Sequence, residues 1–179
     1  MKNFFIICFL PLAIFLFITD GYTQVPVKSR PSPLAMTTAR YKDTYIKITY
    51  CQPHKNGRDI FGKLVPYGKV WRLGANEATE ITLTKDILIN NALLKAGTYS
   101  MFAIPSTEQW TIIINSDVGL WGSYNYNQAK DVLRFDARVQ QNNEVFEPFT
   151  IRIDARNDLA ELLFYWDQVK IIIPVKFLQ

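Results

Sequence analysis

A chain of 179 residues carrying a formal net charge of +4 is long enough for one ordinary domain with a real core and too short for two comfortable ones. Its 20 basic residues are scattered among 16 acidic ones, which excludes the grouped basic footprint of a nucleic-acid-binding protein and leaves only weak attraction to anionic surfaces.

The first residues read as an export signal: Lys2, an apolar run from Phe4 to Ile18, then polar Asp20 with Gly21 and Thr23 at small-residue spacing. Cleavage after Thr23 would leave Gln24 first. The competing reading is a membrane anchor, but the run is interrupted by Pro11 and falls short of the roughly 20 residues a hydrocarbon core requires. Export with cleavage predicts a secreted or periplasmic protein with no membrane span. Cys8 has no small residues around it of the kind a lipoprotein needs, so it leaves with the signal. Cys51 is then the lone cysteine and His54 the lone histidine, so neither an internal disulfide nor a zinc site of the usual ligand sets can form within one chain. Cys51 is expected to be a small buried hydrophobe at a strand end.

Residues 24–36, with Pro26, Pro31 and Pro33, lack periodicity and read as an extended lead-in, followed by a single domain over residues 37–179 with structure beginning near Thr38. From there the pattern has period two. Alternating runs fall at Tyr45–Tyr50, Glu80–Thr84, Thr98–Ile104, Trp110–Asn115, Val132–Val139, Phe149–Ala155, Leu159–Trp166 and Val169–Phe177. Leu133, Phe135, Ala137 and Val139 should face a core while Arg134, Asp136 and Arg138 face water; Phe149, Ile151 and Ile153, and later Val169, Ile171, Ile173 and Val175, behave likewise. Ile87–Ile89 and Ala92–Leu94 flank Asn90-Asn91, a pair that tolerates positive φ and suits a two-residue hairpin turn. One helical turn at most is expected, near Asn125–Asp131. Short strands without a long helical pattern predict an all-β, single-domain antiparallel β-sandwich, jelly-roll-like or a flattened barrel.

The densest polar chemistry lies in VPYGKVWRLGANEAT, Val65 to Thr79, where Trp71 and Arg72 precede a Gly74-Ala75 corner and then Asn76 and Glu77. Such a loop is suited to hold polar side chains beside an aromatic surface, and Arg72, Asn76 and Glu77 are expected to form one hydrogen-bonded unit. Gly57-Arg58, then Ile60 to Thr79, AGTYSMFAIP (Ala96 to Pro105), WTIIIN (Trp110 to Asn115), WGSYNY (Trp121 to Tyr126) and a late aromatic strand ending in Trp166 together resemble a bacterial family of secreted proteins, domain of unknown function 2911. The resemblance spans about Arg30 to Phe177. Many members of that family carry Arg immediately before the Pro; here Gln52 stands there. The family name carries no chemistry, so function has to be sought in the side chains.

Arg58 and Arg72 can be read as a guanidinium pair gripping a carboxylate, a sulfate or sugar hydroxyls through bidentate contacts. They can equally neutralise Asp59 or Glu77, or cap carbonyls. Glu77 is a candidate general acid or base, but a glycosidase of the usual kind needs a second carboxylate across the cleft, and none can be nominated. Asp86, Asp117 and Asp131 suit turns and strand ends. His54 is a second catalytic candidate or simply an exposed loop residue. No GxSxG elbow appears, and the glycines fall at turns rather than in a phosphate-cradling pattern. Tyr67, Trp71, Trp121, Tyr124 and Tyr126 can form a platform for a sugar ring or a clamp for a peptide, or plug the open ends of the sandwich; Trp110 and Trp166 belong to the core.

The reading with most support is a module that binds a polar ligand, glycan or peptide, through Arg58, Trp71, Arg72, Asn76, Glu77 and Trp121, without a cofactor or metal. One alternative is a hydrolase-like enzyme acting on an envelope or extracellular substrate through Glu77 and Arg72, with His54. Another is a scaffold whose loop locks two sheets together. Burial separates them: Arg72 and Glu77 paired beneath the surface favour the scaffold, whereas an open pocket shared with Trp71 favours binding or catalysis.

Overall fold

The computed structural model describes residues 29–178. The expected export signal over residues 1–23, with Cys8, lies outside the described residues, as does the first part of the lead-in. Nine strands follow in chain order: β1 Leu34–Tyr41, β2 Thr44–Cys51, β3 Ala75–Leu83, β4 Ile87–Ile89, β5 Ala92–Leu94, β6 Gly97–Pro105, β7 Gln109–Asn115, β8 Asp131–Arg156 and β9 Leu159–Phe177. The only helical element among the described residues is a 3-10 turn, Gln128–Lys130, inside the stretch where one turn was expected. Among the described residues no helix is long and apolar enough to cross a membrane.

All neighbouring strands pair antiparallel, in the order β1-β2-β3-β6-β7-β8-β9-β4-β5, as one sheet that is not closed into a barrel. The long β8 makes the sheet fold over. Its first part, to Arg138, pairs with β7, and the remainder, from Val139, pairs with β9. The two halves therefore face each other across one core, in which Ile46, Ile48 and Ile81 meet Phe149, Ile151, Phe164 and Ile173. Tyr50 ties the halves directly, its ring edge-on to Phe149 at 5.8 Å and its hydroxyl accepting the Ile151 N–H at 3.1 Å. Burial of that phenol pushes its pKa up.

The period-two faces are found as read: Ala137, Phe149, Ile151, Ile171, Ile173 and Val175 are buried, while Arg134, Asp136, Arg138 and Arg152 are exposed. The β4–β5 turn places Asn90 at φ 48° and Asn91 at φ 64°, the geometry that lets a two-residue loop follow the sheet twist. Some boundaries differ from the expectation. β1 begins at Leu34, inside the stretch read as lead-in, because an edge strand with Leu34 and Met36 exposed gives no buried alternation to read. Val132–Val139 and Phe149–Ala155 are one strand rather than two. The polar run Gln140–Glu144 between them carries no apolar period, yet its neighbourhood still pairs with β9 through register irregularities at Gln141, Phe146 and Thr150.

Two long connections cover the outer face of β3, β6 and β7. Val70 from one and Leu120 and Tyr126 from the other pack on Ala78, Phe102 and Ile113, a small second cluster separate from the main core. These are the β2–β3 and β7–β8 connections, and the candidate site lies where they meet.

Candidate functional site

The β2–β3 connection is fixed at successive points. Phe149 N–H donates to Pro53 O and Lys55 N–H to Glu147 O, so His54 sits in a one-residue bridge opposite Pro148. The chain then turns through Asn56 at φ 48° and Gly57 at φ 69°. Arg58 closes that turn, donating from Nε to Lys55 O at 2.9 Å and from Nη2 to His54 O at 2.5 Å. Of its two expected roles, carbonyl capping is therefore met. Further on, Trp71 exchanges both main-chain hydrogen bonds with Ala103, at 2.7 and 2.8 Å, which lays Gly68–Trp71 along the end of β6.

Trp71 is buried, 9% exposed. Its ring stacks on Trp166 at 5.8 Å and meets Trp110, Phe149 and Phe61 edge-on, and its Nε1–H donates to Gly74 O at 3.1 Å. The indole is thus part of the core and forms the floor of the site rather than an open platform. Gly74 is required by close approach: a Cβ there would stand 2.8 Å from Cys51 O. Leu73 is fully buried, so Arg72, held between two buried neighbours, is turned outward.

Arg72 opens into a cleft of about 560 Å³ that also receives Arg58, Lys69, Ser32, Ser123 and Tyr124, with Trp71 and Trp166 beneath. Among the described residues no Asp or Glu lines it. The Arg72 Nε is buried and has no hydrogen-bond partner among the described residues. A guanidinium is permanently charged and needs acceptors, so this orphan donor marks a place where an acceptor is wanted. The opposite wall is the turn Trp121–Tyr124. It is pinned to β3 by Ala78 N–H to Leu120 O and Gly122 N–H to Asn76 O, both 2.9 Å, and its far end by Tyr126. That ring packs on Phe102 at 5.2 Å, and its hydroxyl donates to Asp131 Oδ2 at 2.6 Å. Burial, with the Asp131 carboxylate adding to it, pushes the Tyr126 pKa up to about 12.

Glu77 faces a different cleft. Arg30 Nη1 donates to both its oxygens at 2.7 and 2.9 Å, and the buried Cys51 Sγ donates to Oε2 at 3.2 Å. These groups, with Glu80, line a depression of about 680 Å³. The Arg30 guanidinium, first among the causes, holds the Glu77 carboxyl below its usual range. Arg72 and Glu77 neither pair nor share a pocket, so the expected hydrogen-bonded unit of Arg72, Asn76 and Glu77 does not form. The cause is local. Thr49 opposes Glu80 and Cys51 opposes Ala75, so two steps along β2 match five along β3, and the surplus forms a bulge that begins at Asn76, φ 55°. A bulge re-aims side chains. Asn76 itself is structural, its Nδ2 donating to Ser32 O at 3.4 Å and its carbonyl accepting from Gly122.

Of the residues singled out in the sequence, the cleft gathers Arg58, Trp71, Arg72 and Tyr124. It leaves out Asn76, Glu77, Trp121, Tyr67 and His54, and Trp121 is exposed opposite Glu77. Lys69 was missed, although the signal was available: between Asp59 and Glu77 the chain carries Lys63, Lys69 and Arg72 and no acid. Two other depressions, beside Lys85 and beside Asn157, contain no buried side-chain polar atom lacking a partner among the described residues.

A model of the family described as protein of unknown function, DUF2911, matches residues 32–175. The chain belongs to this family. No curated protein and no solved structure matches it. The DUF2911 match includes every residue of the Arg72 cleft, whereas Arg30, the partner of Glu77, lies outside it.

Proposed function

We propose that this protein is a secreted or periplasmic binding module, and that its ligand carries an anionic group received by Arg72 in the cleft between the β2–β3 and β7–β8 connections. The observation that carries this reading is the buried Arg72 Nε, unpartnered among the described residues, in a cleft to which those residues bring three cationic side chains and no carboxylate. Leaving a charged donor buried without an acceptor disfavours the folded state by about 1–3 kcal/mol or more, and such local conflicts are expected where a ligand completes the site. The export signal read at residues 1–23 supports the location. The hydrolase reading would draw Glu77 and Arg72 to one substrate, and their opening into separate clefts weighs against it.

The test is a thermal-shift screen of acidic and neutral glycans and peptides against the protein and Arg72→Gln. A ligand at a hundred times its Kd adds about 2.7 kcal/mol to stability. At about 2–4 °C per kcal/mol for a domain of this size, the midpoint should rise by roughly 5–11 °C for an acidic ligand, and the rise should vanish in Arg72→Gln. An equal shift in both proteins, or shifts from neutral ligands alone, would overturn the assignment.

A further inference from the structure

Resting on that reading, we propose that the Arg72 cleft recognises an acidic sugar, a hexuronate residue of a polysaccharide, with the carboxylate on Arg72 and the ring of the sugar against Tyr124. Tyr124 is 81% exposed, the most exposed of the large apolar and aromatic side chains, and it is not loose. Its ring lies on Gly122, whose φ is +71° and where a Cβ would come within 2.8 Å of the ring. The same vacant Cβ position would lie 3.0 Å from Arg72 Nη1. One glycine therefore sets the aromatic ring and the guanidinium side by side over a shared space. A ligand can lay its C–H face on the ring while its carboxylate reaches the planar fork.

An inorganic anion needs cations alone and makes no use of an aromatic ring beside them. A hexuronate matches the whole set. It presents an apolar ring face and a carboxylate on one rigid unit, and hydroxyls that Ser32 and Ser123 can meet. Both residues line the cleft, and neither hydroxyl makes a hydrogen bond among the described residues. Lys69 and Arg58 extend the positive charge along the cleft, which suits a chain with an acid on each sugar. An extended peptide is served less well, because main-chain groups bordering the cleft are already paired: Trp71 with Ala103, Arg72 O with Thr79 N–H and Gly74 O with the Trp71 indole. No sheet edge is left there for strand addition.

Isothermal titration of the chain from Gln24 onward, the form expected after signal cleavage, with trigalacturonate, neutral galactotriose, sodium acetate, sodium sulfate and an acidic pentapeptide tests the proposal. Trigalacturonate should bind at least tenfold more tightly than galactotriose and than acetate. Tyr124→Ala and Arg72→Lys should each weaken it tenfold or more, with the unliganded thermal midpoint of Tyr124→Ala unchanged. If acetate or sulfate binds as tightly as trigalacturonate and Tyr124→Ala has no effect, the sugar assignment is overturned while the anion site stands. Tighter binding of the pentapeptide than of trigalacturonate overturns the sugar assignment in the same way. If no anionic probe binds, the sugar assignment and the binding module fall together.

Discussion

Replacing Arg72 by methionine separates a ligand-binding arginine from a structural one without any ligand in hand. An arginine paired in a buried network loses about 3–5 kcal/mol of stability when the pair is broken. Among the described residues Arg72 has no such pair: its buried Nε lacks a partner, and the hydrogen bond of its residue to β3, Thr79 N–H to Arg72 O at 3.1 Å, belongs to the main chain and survives substitution. Methionine keeps an unbranched apolar stem and removes the orphan donor and the charge. Relief of the unsatisfied donor is worth about 1–3 kcal/mol, and imperfect refilling beside Gly122 offsets up to about 1.5 kcal/mol of that. The expected net effect runs from a loss of about 0.5 kcal/mol to a gain of about 3 kcal/mol, or a midpoint raised by up to roughly 12 °C. Urea unfolding with an unchanged m-value measures it. A loss greater than about 1 kcal/mol would mean that Arg72 holds the fold together, and the scaffold reading would replace the binding one.

Trp71→Ala should lower stability by about 3–5 kcal/mol because the indole is buried among four aromatic rings; Trp121→Ala, at an exposed side chain, should change it by under about 1 kcal/mol, and comparable urea midpoints for the two would contradict this assignment. Ile151→Ala and Ile173→Ala, each nearly fully buried, should each lose about 2–5 kcal/mol, so near-neutral midpoints at both would show the faces to be wrong. The stability changes of Arg72→Ala and Glu77→Ala should add to within about 0.5 kcal/mol in a double-mutant cycle, since the two open into separate clefts; a coupling above about 1 kcal/mol would place them in one network. Glu77 has a folded pKa below its ordinary value near 4.5, so its contribution is present above that value and is lost as pH falls through the lower, folded one. With the side chain 44% exposed the effect is small, and Glu77→Gln should flatten only part of the fall in midpoint below pH 4.5; a fall of the same size in both proteins would refute the pairing.

The strands were legible because a half-buried sheet forces alternation, and residues such as Ile151, Arg152 and Ile153 show it plainly. What lay hidden was whatever did not alternate: the exposed edge strand from Leu34, the polar stretch of β8 after Val139, and the joining of two runs into β9 across Asp167, whose φ of 54° interrupts the period without ending the strand. The site was half legible. Arg58, Arg72 and Tyr124 were recognisable from residue type, but for Trp71, adjacent to Arg72, platform and plug both stayed open because a loop position carries no face. Burial of that ring comes from Trp110, Phe149 and Trp166, contributed by three separate strands, and no local pattern reports contacts of such sequence separation.

The separation of Arg72 from Glu77 has a consequence for how the cleft holds its geometry. Gly74 packs against Cys51 O, and the bulge starting at Asn76 turns the following residues so that Gly122 N–H can reach Asn76 O. The β2–β3 connection, which supplies the cations, and the β7–β8 turn, which supplies Tyr124, are thereby fastened to the same short start of β3. Their spacing is set by main-chain hydrogen bonds and by two glycines rather than by the charged side chains themselves. The Arg72 side chain is thus left without a hydrogen-bond partner among the described residues, while its backbone is held by Thr79 N–H and the ring of Tyr124 lies beside it over Gly122. A side chain carried on a pinned backbone, with its Nε buried and chemically unsatisfied, approaches the requirement for a preorganised binding group, because less ordering remains to oppose the ligand.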